Sequence, residues 1–152
     1  KQGLGSKLLK DLENEKYKII TICGSNKKLL SEIKNANFKN VIPLGFIKNI
    51  NDYIYSSDII VSKPGGLSTT EIAAMRKPLI HIFPIPGIET YNTNFVESHH
   101  MSIKCMKNEE IKEAINTLFK NQNLQNEIIE NQKKYINNYS ARDLVELIKE
   151  NF

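Results

Sequence analysis

Short apolar runs alternate with amphipathic stretches along the chain, and glycine-bearing turns separate them. Lys18–Cys23 (KIITIC), Val41–Leu44, Ile59–Val61, Pro78–Phe83 (PLIHIF) and Met101–Met106 are too brief for helices, and Ile59–Val61 is wholly β-branched. Such runs predict buried strands, with Ile59–Val61 taken as the central one. Helical spacing of apolar positions predicts helices over Lys27–Lys34, Asn51–Ser56, from Ser68 towards Met75, Thr90–Ser98, Glu109–Lys120, Leu124–Asn138 and Leu144–Lys149. Ser140 is the expected N-cap of the last. Leu8, Leu9 and Leu12 mark a first helix with no strand ahead of it, and Gly3 and Gly5 read as the tail of a glycine-rich loop whose strand precedes residue 1.

Strands alternating with helices imply an α/β fold, a Rossmann-like parallel sheet with helices on both faces. Ligands of such sheets gather at the carboxyl ends of the strands. The loops Gly24-Ser25-Asn26, Gly45-Phe46-Ile47, Lys63-Pro64-Gly65-Gly66 and Pro84-Ile85-Pro86-Gly87-Ile88-Glu89 each follow a strand. They should therefore meet on one rim.

The stretch Ile59 to Met75 carries the most specific chemistry. Proline at 64 ends the strand because it lacks a backbone donor and has a fixed φ. Gly65 and Gly66 have no Cβ, so their backbone can take positive φ and lie close against another group. Ser68, Thr69 and Thr70 follow where a helix start exposes unpaired N–H groups, which attract anions directly and through the helix dipole. One reading is a phosphate or diphosphate site. The other is a tight connection with a capping box, Glu71 returning to the N–H of Ser68. Convergence of the glycine loops on one rim favours the binding site.

At 152 residues the chain is long enough for one ordinary domain with a real core, expected to span 1–152. A net charge of +4 suits an anionic nucleotide or membrane surface, while the scattered lysines lack the aromatic interleaving of a nucleic-acid binder. Cys23 and Cys105 lack CxxC spacing and read as buried free thiols of a reducing compartment. No apolar run is long enough to cross a bilayer, so any membrane contact is expected to be peripheral.

From Gly45 to Phe95 the chain resembles the C-terminal, nucleotide-sugar-binding half of GT-B glycosyltransferases, above all the diacylglycerol glucosyltransferases and monogalactosyldiacylglycerol synthases. The peptidoglycan UDP-N-acetylglucosamine transferase is a more distant relative in that family. The residues that carry the resemblance are Cys23-Gly24-Ser25-Asn26, Leu44-Gly45-Phe46-Ile47, Lys63-Pro64-Gly65-Gly66 with Glu71, and Pro84-Ile85-Pro86-Gly87-Ile88-Glu89 with Asn92, Asn94 and Phe95.

The resemblance implies a donor domain for a UDP-hexose. Gly65, Gly66 and the following helix start would hold the diphosphate, with Ser68 and Thr69 as hydroxyl donors. Glu71 would accept from the ribose hydroxyls, Phe46 and Ile47 would flank the uracil, and Glu89 and Asn92 would meet the hexose. It further implies an inverting transfer to a lipid such as diacylglycerol, no cofactor, and a cytoplasmic protein with peripheral contact at the inner face of the cell membrane. The acceptor site and catalytic base would belong to an N-terminal domain outside this chain, leaving no catalytic residue here. In the family Gln usually stands where this chain has Ile88, and isoleucine offers a sugar hydroxyl no hydrogen bond. Two other arrangements fit the same residues, a donor-binding subunit with a separate acceptor partner and a UDP-sugar epimerase.

Several residues carry weaker signals. Adjacent His99 and His100 would diverge by about 100° on a helix, so no shared metal is expected, and no carboxylate cluster has metal-ligand spacing. His81 reads as packed in its strand or at the rim. Lys63 could reach a phosphate or lie free at the surface, and Tyr53 and Tyr55 read as packing.

Overall fold

A computed structural model describes residues 6–151. Gly3 and Gly5, with the loop they were expected to end, lie outside the described residues. The chain divides into two compact units, Lys1–Tyr53 and Ile54–Phe152.

In the first unit α1 (Ser6–Asp11) precedes β1 (Ile19–Ile22), α2 (Lys27–Ala36) and β2 (Val41–Leu44). The two strands pair in parallel, Ile19 opposite Val41 and Ile22 opposite Leu44. Leu9, Cys23, Ile33 and Val41 form its core, with Ile19, Leu29, Leu30 and Phe38 packed against them. β1 is not buried on both faces as expected. Its residues alternate, leaving Ile20 and Ile22 40% and 39% exposed, because the core lies on the side of Ile19 alone. α2 starts on Asn26, whose side chain accepts the Leu29 N–H at 3.0 Å, and stops at left-handed Asn37. Gly24 takes φ +55°, which turns the chain out of β1. A Cβ on Gly45 would lie 3.9 Å from the Gly24 carbonyl oxygen, so the loops after β1 and β2 meet.

α3 (Ile50–Ser56) leads into the second unit, where β3 (Ile60–Ser62), α4 (Gly66–Ala74), β4 (Leu79–Ile82), α5 (Thr90–Ser98) and β5 (Ile103–Cys105) alternate. The sheet has the order β3-β4-β5, parallel throughout. β4, not the strand at 59–61, holds its middle, and that explains the burial. Leu79, Ile80, His81 and Ile82 are all 2% exposed or less, while every residue of β3 is half-buried. Burying a side chain of this size stabilises by about 1.5–3 kcal/mol, so the three apolar residues of β4 contribute substantially to the unit's core.

Three helices complete the chain, α6 (Asn108–Lys120), α7 (Gln122–Tyr135) and α8 (Ser140–Asn151). α6 buries Ile111, Ala114, Ile115 and Leu118 at helical spacing, and α7 buries Ile128 and Gln132. The Gln132 amide donates to the carbonyls of Lys77 and Met101. Arg76, left-handed at φ +58°, ends α4 and donates to the carbonyls of Ala73, Gln132 and Ile136 and to Asn138 Oδ1. One guanidinium thus ties the end of α4 to the end of α7. α8 begins at Ser140 itself, which is inside the helix rather than before it. Parallel strands in sheets flanked by helices are the α/β class that the hydrophobic pattern predicts. Among the described residues no helix is long and apolar enough to cross a membrane.

Candidate functional site

The glycine turn after β3 is built from its ends inward. Buried Pro64 terminates the strand, Gly65 is extended at φ −69° and ψ 140°, and Gly66 is the first residue of α4. Neither glycine uses positive φ, contrary to the expectation; Gly24 and Gly87 are the described glycines that do. Nor does crowding within the chain require them. A Cβ would lie 3.9 Å from Glu89 Oε1 at Gly65 and 3.6 Å from Asn92 Nδ2 at Gly66, both ordinary contact distances.

The capping box does not form, because α4 begins earlier than that reading requires. Gly65 takes the N-cap position and has no side chain to offer, which places Ser68 inside the first turn. The Thr69 N–H closes the first helical bond on the Gly65 carbonyl at 2.9 Å. The N–H groups of Gly66, Leu67 and Ser68 are left as the open donors of the helix start. The Thr70 hydroxyl turns back to the Gly66 and Leu67 carbonyls.

The start of α5 faces this turn. Asn92 Nδ2 donates to the Pro64 carbonyl at 3.2 Å. Glu89, 8% exposed, accepts the Ile85 N–H on Oε2 at 2.7 Å and directs Oε1 towards Gly65. The loop that delivers them is held by Gly87, at φ +83°, whose N–H donates to Thr90 Oγ1. Phe83, just before Pro84, takes φ +44°, a strained conformation for a bulky residue.

The structure therefore brings Gly65, Gly66, Glu89 and Asn92 together, with Ser68 exposed beside them in the first turn. It does not bring the Thr69 hydroxyl there. Thr69 is 5% exposed and points into the core, its Oγ1 3.2 Å from His81 Nε2, because the fourth helical position faces the sheet. Glu71 is exposed and lines an open groove of about 510 Å³ with Thr70, Ala74 and residues Tyr135 to Asn138. Phe46 and Ile47 belong to the first unit, in the loop after β2, Phe46 75% exposed and Ile47 half-buried. Ile88 is 78% exposed, so its apolar side chain has no packing role. Lys63 is exposed at the strand end.

The hydrophobic pattern places His81 in its strand but assigns it no partners. It is 1% exposed, with Nδ1 3.0 Å from Ser102 Oγ and Nε2 on Thr69. Burial lowers its pKa to about 4, so the ring is neutral at pH 7. The available signal was a lone histidine inside an otherwise apolar strand, with a threonine in the helix after the preceding strand. Burial also raises both thiols, Cys105 to about 11 with help from Glu110 and Glu113. These are not the thiols of a reactive site.

Unpaired amides at a helix start beside a glycine turn, after a strand of a parallel sheet, form a class of anion site that phosphates can occupy in α/β folds. Comparison with known proteins narrows the class. Residues 5–148 match the glycosyltransferase family 28 C-terminal domain, and the chain belongs to that family. Among similar proteins is the processive diacylglycerol β-glucosyltransferase of Bacillus subtilis strain 168, 30% identical over 143 residues, which cover 91% of this chain and 37% of the relative. The protein of the same name from Staphylococcus aureus strain Newman is 35% identical over 137 residues, 86% of this chain and 35% of that one. The chain thus spans little more than a third of the length of these relatives. The crystal structure of Acinetobacter baumannii MurG superposes with a TM-score of 0.74 at 20% identity, over 97% of this chain and 48% of that one. The fold is accordingly the C-terminal half of a GT-B glycosyltransferase.

Proposed function

We propose that this chain, as one nucleotide-sugar-binding domain over 1–152, is the donor half of an inverting hexosyltransferase that uses a UDP-hexose and a diacylglycerol-type lipid. The observation that carries the reading is the uncapped first turn of α4. Its open amides at Gly66, Leu67 and Ser68 stand beside two glycines that the chain's own packing does not require. A helix start of this kind holds a diphosphate, and a glycine pair lets the ligand approach the main chain. Family membership and the names of the relatives support a sugar donor and a lipid acceptor.

In this reading Gly65, Gly66 and Ser68 hold the diphosphate, Glu71 accepts from the ribose hydroxyls, and Phe46 and Ile47 meet the uracil on the strength of the resemblance. Glu89 and Asn92 each keep an oxygen for hexose hydroxyls, Oε1 and Oδ1, after their contacts to Ile85 and Pro64. UDP-sugar is a substrate, and no cofactor is needed. The acceptor hydroxyl, deprotonated by a base outside this chain, attacks the anomeric carbon as the bond to UDP breaks. Negative charge then grows on the departing diphosphate, and preorganised amides stabilise it. Loss of one such donor costs about 2.7–4 kcal/mol of barrier in comparable anion sites. The protein works in the cytoplasm, at the inner face of the membrane that holds its acceptor.

Calorimetric titration with UDP tests this. The wild-type chain binds, and Glu71→Ala weakens binding tenfold or more, about 1.4 kcal/mol for the lost two-pronged contact. An unchanged affinity in Glu71→Ala removes that residue from the ribose.

A further inference from the structure

His81 is the polar member of β4 and lies as deep as its apolar neighbours. An isoleucine or leucine would fill such a position without desolvating a ring that carries two polar atoms. What the imidazole adds is direction. Its two nitrogens meet Thr69 Oγ1 at 3.2 Å and Ser102 Oγ at 3.0 Å, and hydroxyls on both sides satisfy a neutral ring in either tautomer. Ser102 immediately precedes β5, so the ring is held from the neighbouring strand while it holds α4.

Thr69 is the residue through which this reaches the glycine turn. Its main-chain N–H closes the first helical bond on Gly65, and its side chain is tied to His81. Gly66, Leu67 and Ser68 lie between those two points. Their amides have no side-chain cap to fix them, so the tether beneath Thr69 sets how the turn sits on the sheet. The same strand continues through Phe83 into the loop that ends on Glu89 and leads to Asn92 in α5, so both sides of the candidate site are referenced to β4.

We propose that His81 is a positioning residue for donor binding: through Thr69 it holds the first turn of α4 so that the amides of Gly66, Leu67 and Ser68 face the diphosphate of the nucleotide. The inference rests on the donor-site reading and adds to it a residue that touches no ligand. A group acting this way affects the diphosphate end of the nucleotide and leaves the nucleoside end alone. A residue that only fills the core affects both ends alike, through stability.

UDP and uridine, titrated separately into the chain, distinguish the two. His81→Leu and Thr69→Val each weaken UDP by about tenfold, while uridine affinity stays within about twofold. Thr69→Ser keeps the hydroxyl and binds UDP as the wild type does. Equal weakening of both ligands, or wild-type UDP affinity in Thr69→Val, overturns the role. Circular dichroism establishes that each variant is folded; if His81→Leu is not, Thr69→Val, which loses only the hydroxyl contact, decides the matter. Failure of the wild-type chain to bind UDP is a different result, which overturns the donor-site reading and this inference with it.

Discussion

Replacing Gly66 with alanine separates folding from binding more cleanly than any other single change at the site. A Cβ at this position lies 3.6 Å from Asn92 Nδ2, a contact that calls for no rearrangement. Gly66 is helical rather than positive in φ, so alanine adopts its backbone without strain. Removing a glycine from a helix gains about 0.5–1 kcal/mol through propensity and a less flexible unfolded chain. For a chain of this size, that corresponds to a rise in Tm of roughly 1–4 °C. The methyl group nevertheless occupies the space between the start of α4 and Asn92, which the account gives to the diphosphate and sugar. If it displaces one phosphate oxygen from its amide, the loss is about 1.5–3 kcal/mol, or ten- to hundredfold in UDP affinity. Thermal unfolding and calorimetry on the same sample give both numbers. A variant of unchanged or higher Tm that binds UDP like the wild type would mean that the missing Cβ serves neither packing nor ligand, and that no diphosphate lies against Gly66.

Ile88→Gln restores a hydrogen-bonding group at a position 78% exposed, so stability should change by less than about 0.5 kcal/mol while the affinity for UDP-hexose rises relative to UDP; competitive titration with both ligands checks this, and an unaltered ratio removes position 88 from the sugar. His81, held near pKa 4 against an ordinary 6.5, binds fewer protons folded than unfolded between those values. Stability should therefore be full above about pH 6.5 and decline towards pH 4 by on the order of 3 kcal/mol, a slope that urea unfolding should find reduced in folded His81→Leu. Arg76→Ala removes four hydrogen bonds from the junction of α4 and α7 and should cost about 2–3 kcal/mol in thermal unfolding, and a loss below about 0.5 kcal/mol would show the junction holds without it.

Element order and type were legible because periods of two and of 3.6 leave different apolar patterns, and every described strand falls within a residue of its expected limits or inside them. What the pattern could not show was which strand lies in the middle. Ile59–Val61 and Pro78–Phe83 are both β-branched runs, and hydrogen-bonding order, not composition, puts β4 between β3 and β5. At the site, Glu89 and Asn92 were indicated by the family resemblance, not by the hydrophobic pattern, and both face the glycine turn. Thr69 was misplaced because Ser-Thr-Thr-Glu imitates a helix N-terminus, whereas the helix had begun on Gly66. The N-cap is Gly65, three positions before Ser68, and that offset turned the threonine from the rim to the core. The tether from His81 showed in the sequence only as a lone histidine in an apolar strand, because its partners lie on a helix and beside a neighbouring strand whose contact only the folded chain defines.

The three amides proposed to hold the diphosphate can be observed directly. In a ¹⁵N-labelled chain titrated with UDP and then with uridine, the N–H resonances of Gly66, Leu67 and Ser68 are expected to move downfield with UDP and hardly to respond to uridine. Saturable UDP binding that leaves those resonances in place and shifts another surface would contradict that role.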